Sequence, residues 1–135
     1  MKNSKSEILL KIAFISGAIV DAFALLPMLI PSLSKLMWGF ENTRGDYYYA
    51  MCMGASLMMG WTILLVWASI RPVERRIIAL FTVFVILGMV AAEVFAVAGG
   101  VMSFGRALPS FVMQVLLTAL FITAFLVSRK EMGTE

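Results

Sequence analysis

Four long apolar stretches dominate this chain, at residues 8–30, 48–70, 77–98 and 107–127, with short polar breaks between them. Crossing about 30 Å of hydrocarbon takes roughly 20 helical residues, and each stretch reaches that length. Backbone groups in lipid must be paired within the segment or across a closed barrel. A barrel strand alternates inward and outward residues, and Phe81-Thr82-Val83-Phe84-Val85-Ile86-Leu87 does not alternate. The pattern therefore predicts an all-α, four-helix membrane domain covering residues 1–135. Short connections place consecutive helices beside one another as an up-down-up-down bundle. The longest connection, 31–47, carries Leu33, Leu36, Met37, Trp38 and Phe40 among polar residues. It predicts a short interfacial helix over 33–40, and the run Tyr47-Tyr48-Tyr49 reads as an aromatic anchor where the second span begins.

Composition agrees with the pattern. The chain has 135 residues, 61% hydrophobic and 14% charged, against roughly a quarter charged in a soluble domain. Its net charge of +3 is not a nucleic-acid footprint, because the basic residues flank apolar runs instead of forming a patch. Eight of the eleven Lys and Arg residues (Lys2, Lys5, Lys11, Arg71, Arg75, Arg76, Arg129 and Lys130) fall on one side of the four spans; Lys35, Arg44 and Arg106 fall on the other. By the positive-inside rule both termini are expected in the cytoplasm, as an even number of spans also requires, with the plasma (inner) membrane as the location. A rival reading takes Lys-rich residues, an apolar run and Ala22-Phe23-Ala24 as a cleaved signal peptide, but the run continues to Ile30.

The chemistry that stands out is acidic. Six of the eight carboxylates lie in connections or tails, whereas Asp21 and Glu93 lie inside the first and third spans. A charged group facing lipid costs several kcal/mol, so both are expected to face the bundle interior. At 1.5 Å per residue, Asp21 is about 14 Å and Glu93 about 9 Å from the end of the span opposite the termini. Gln114 is about 10 Å and Ser56 about 12 Å deep from that same end. Helical spacing adds Cys52 and Tyr49 to the stripe of Ser56, and Ser110 to that of Gln114. The expectation is one polar pocket in that half of the bundle, lined by Asp21, Glu93, Gln114, Ser56, Cys52 and Tyr49. Such a pocket suits a small hydrophobic, lipid-like or cationic ligand. The alternatives are an acid–base pair acting on a lipid or isoprenoid, and an accessory subunit in which the polar residues only hold helices together.

With no histidine and one cysteine, Cys52, an internal disulfide and the usual soft or borderline metal sites are excluded. No cofactor is expected. There is no P-loop and no Ser-His or Cys-His pair. Pro27 is expected to kink the first span above Asp21. The methionines of the second span, Met51, Met53, Met58 and Met59, read as adaptable packing. Small-residue faces such as Gly88, Ala92, Ala96 and Gly100 serve contacts within a chain or between chains. A homo-oligomer is therefore left open, and membrane lipids are the expected neighbours.

The run Gly54-Ala55-Ser56-Leu57-Met58-Met59-Gly60-Trp61-Thr62-Ile63-Leu64-Leu65-Val66-Trp67-Ala68, followed by Arg71-Pro72-Val73-Glu74-Arg75, resembles small prokaryotic four-helix membrane proteins to which no activity is assigned. The layout more distantly resembles DoxX-like proteins and the EXPERA group of sterol isomerases and sterol-binding proteins. That resemblance implies a pocket between helices lined by membrane-embedded acids, here Asp21 and Glu93. The isomerases' histidine chemistry has no counterpart in this chain.

Overall fold

A computed structural model describes residues 5–41 and 45–132, except the side chain of Met132. Lys2, Arg44 and Glu135, which entered the reading of charge above, lie outside the described residues. The described chain is helical without strands: α1 (Lys5–Leu29), α2 (Pro31–Trp38), α3 (Asp46–Ile70), α4 (Ile77–Ala98) and α5 (Phe104–Met132). Four of these, all but α2, are long and apolar enough to cross a membrane.

Helix bounds follow local chemistry. α4 keeps the expected limits, because Gly99 and the turn after it end a run that is apolar but for Thr82 and Glu93. α1 and α5 run further into polar sequence than hydropathy alone suggests. Ser6 donates a 2.6 Å hydrogen bond to Glu131, tying the start of α1 to the end of α5, and Arg129 and Lys130 oppose the negative end of the α5 dipole. A short helix forms after α1, two residues earlier than the expected 33–40. Pro31, with no N–H to satisfy, starts it after the extended Ile30, and Gly39 ends it in the left-handed conformation at φ 80°.

Consecutive spans pack together except one pair. α1 packs along α3 and also against α5, α5 packs against α4, and α3 and α4 make almost no close approach. The expectation that short connections make every consecutive pair adjacent fails at α3 and α4. The tight connection at 71–76 joins their ends without bringing the helices together. Arg75 lies over the Trp67 ring, 3.4 Å from its centroid, and donates to the Trp67 carbonyl, which holds the connection against the end of α3.

Gly17 explains the intimacy of α1 with its neighbours. A Cβ there would lie 2.9 Å from Phe121 Cζ and 3.1 Å from Leu65 Cδ1. The same contacts set the register: Gly17 of α1 meets Leu65 of α3, and Met28 meets Gly54, so the two run antiparallel. The main core cluster lies in the half of the bundle that holds the termini, while Leu25, Ala55, Met102 and Ala107 are buried outside it. It comprises Leu10, Ala13, Phe14 and Ala18 of α1, Leu65 and Ala68 of α3, Ile78, Ala79, Val83 and Ile86 of α4, and Leu117, Phe121 and Ala124 of α5. Towards α2 this core gives out: no residue of α4 beyond Ile86 is buried.

Candidate functional site

Where the core ends, polar contacts take over between α4 and α5. Glu93 projects from α4 toward one face of α5, where Ser110 and Gln114 stand one turn apart. Ser110 Oγ donates to Glu93 Oε1 at 2.5 Å. Gln114 Nε2 donates to the same oxygen at 3.1 Å, and its 3.2 Å contact with Ser110 Oγ closes the triangle. Gln114 is 5% exposed. One carboxyl oxygen thus collects the donors, while Glu93 Oε2 and Gln114 Oε1 are both buried without a partner among the described residues. Burying an unpaired polar atom costs about 1–3 kcal/mol.

Two cavities lie on either side of this cluster. Cavity 1, about 310 Å³, is lined by Met51 of α3, by Met89, Ala92, Glu93 and Ala96 of α4, and by Trp38, Phe40 and Met102. It occupies the space left because α3 and α4 do not pack together. Among the described residues, Glu93 is the only charged one on its wall. Cavity 2, about 420 Å³, lies between α1 and α5, and its wall includes Pro27, Trp38, Arg106, Pro109 and Ser110. Trp38 borders both cavities, and Ser110 borders the second while bonding to the acid of the first. An aromatic cluster supports this end: Trp38 and Phe40 are 5.7 Å apart, Phe40 and Tyr47 are 5.5 Å apart, and Tyr47 shares a 3.0 Å hydrogen bond with Ser34.

Of the six residues expected in one pocket, the structure joins Glu93 and Gln114. Asp21 is partly exposed on α1, borders neither cavity and has no hydrogen-bond partner among the described residues. The single pocket holding both carboxyls is not what forms, since α1 approaches α4 only slightly. Ser56 is exposed, and its hydroxyl donates to the carbonyl of Met53 in its own helix at 2.8 Å. Tyr49 is 69% exposed. Cys52 is half-buried and free. All three were placed by the stripe they share, and none of them lines either cavity. Ser110 belongs to the cluster and was visible only as the stripe-mate of Gln114. Trp38 and Met51 carried no site signal in the sequence, because an aromatic or a methionine in an apolar run looks like packing wherever it falls.

No group of three or more potential ligands is placed to hold a metal ion among the described residues. No family model matches the chain, and neither the curated proteins nor the solved structures compared with it contain a match.

Proposed function

We propose that this protein spans the plasma membrane four times with both termini in the cytoplasm, and that cavity 1 binds a small amphipathic molecule bearing a cationic amine. The carrying observation is the buried Glu93 Oε2, without a partner among the described residues, on the wall of a cavity whose other described lining residues are uncharged. Apolar walls of Met, Ala, Trp and Phe accept a hydrophobic body, and the free oxygen accepts an N–H from its head. The volume, about 310 Å³, sits at the small end of typical ligand pockets. Ser110 and Gln114 hold the carboxyl in one orientation, so less ordering is required on binding. Asp21 is a second intramembrane acid outside this site, and a shared acid–base pair is the weaker reading.

The test is binding of a hydrophobic tertiary amine to protein in phosphatidylcholine nanodiscs. Glu93→Gln keeps the shape but removes the charge, and is expected to weaken amine binding about tenfold or more, the scale of one charge-assisted hydrogen bond. Asp21→Asn is expected to leave it unchanged. Equal affinity in the wild type and Glu93→Gln would overturn the reading.

A further inference from the structure

Cavity 2 differs in charge from cavity 1. Of the described residues lining it, Arg106 alone is charged, and the rest are apolar except Ser110. Arg106 sits in the first turn of α5. A guanidinium offers five N–H donors. Here the hydrogen bond it makes among the described residues is from Nη1 to the Lys35 carbonyl, at 3.1 Å, and no described carboxylate pairs with it. Among the described residues it is an unneutralised, exposed fork on the wall of an apolar cavity.

The cavity has a structural cause. Pro27 of α1 and Pro109 of α5 both lie on its wall. Each lacks the N–H that would bond four residues back, at Phe23 and Gly105, and each ring crowds that carbonyl. The seam between α1 and α5 is tight at Gly17 and Phe121 and open where the two prolines stand. From Arg106 to Met113, both on the wall, is seven residues, or about 10 Å of helix. A charged head at Arg106 therefore has room for a hydrocarbon chain running inward beside it.

We infer that cavity 2 is a binding site for an anionic amphiphile, with Arg106 holding a carboxylate or phosphate head bidentately and the apolar space between α1 and α5 holding its chain. Guanidinium geometry matches both heads. The site is separate from cavity 1 and stands whether or not that cavity binds an amine.

Trp38 supplies the readout. With Trp61→Phe and Trp67→Phe in place, it is the remaining tryptophan, and a doxyl-labelled fatty acid bound beside it quenches its fluorescence. In neutral-lipid nanodiscs the acid is expected to quench saturably and its methyl ester about tenfold more weakly. Arg106→Gln should abolish that preference, and Arg106→Lys should retain part of it. Ala24→Phe, which fills cavity 2, should prevent quenching, whereas Ala92→Phe, which fills cavity 1, should not. An anionic lysophospholipid that displaces the label extends the head to phosphate; failure to displace confines the site to carboxylates. Displacement by inorganic phosphate alone would overturn the amphiphile. So would equal quenching by acid and ester, an unchanged preference in Arg106→Gln, or sensitivity to Ala92→Phe in place of Ala24→Phe.

Discussion

At Glu93 a single oxygen accepts from both Ser110 and Gln114, and the strength of that arrangement decides what its loss does. Hydrogen bonds between membrane helices average about 0.6 kcal/mol, with an upper range near 1.7. Ser110→Ala is therefore expected to lower stability by about 1 kcal/mol in a reversible unfolding titration, without unfolding the protein. Gly17 carries a larger penalty. Any Cβ there meets the Phe121 ring at 2.9 Å, and Phe121 is fully buried with little room to move. Overpacking costs about 1–3 kcal/mol, so Gly17→Val should destabilise more than Ser110→Ala in the same titration. Gly39 combines φ 80° with a Cβ position occupied by the Arg106 side chain. Gly39→Ala should loosen α2 from α5, seen as a change in Trp38 emission.

At the level of elements, the two halves of α4 are held by different physics. Its first half is buried in the core through Ile78, Ala79, Val83 and Ile86; its second half is tied by Glu93 to α5. Glu93→Leu keeps the bulk and removes the tie, so amide exchange of residues 89–98 should accelerate while that of 78–86 stays slow. Uniform acceleration along α4 would contradict this division. Both were legible to different degrees. A run of 22 residues, apolar but for Thr82 and Glu93, announces α4, because burial in lipid depends on hydropathy and length. Which helix Glu93 reaches depends on how α4 is rotated and which neighbour it meets, and residue spacing within one helix is silent on both.

For the molecule as a whole, the order α3–α1–α5–α4 leaves a gap between the outer pair, and the cavities lie beyond the main core cluster. The proposed orientation puts Glu41, after α2, outside the cell and Glu74, between α3 and α4, in the cytoplasm. Cys52 is the lone cysteine, so Cys52→Ser provides a background for single-cysteine labelling. In intact cells an impermeant maleimide is expected to label Glu41→Cys and to spare Glu74→Cys until the membrane is opened. The reverse pattern would invert the topology and turn both cavities toward the cytoplasm.

Four apolar helices, a short amphipathic helix after the first, and two intramembrane acids were all present in the linear sequence, because transfer of side chains into hydrocarbon is a property of each segment alone. Residue count along each helix also put Glu93 and Gln114 at a common level, where the two meet. Tertiary packing alone decided that Glu93 joins Ser110 and Gln114 while Asp21 stands apart, that Ser56 and Tyr49 are exposed, and that two cavities of different charge open beside Trp38. Those outcomes depend on which faces meet. That choice rests on contacts such as Phe121 against Gly17, between residues more than a hundred positions apart in the chain.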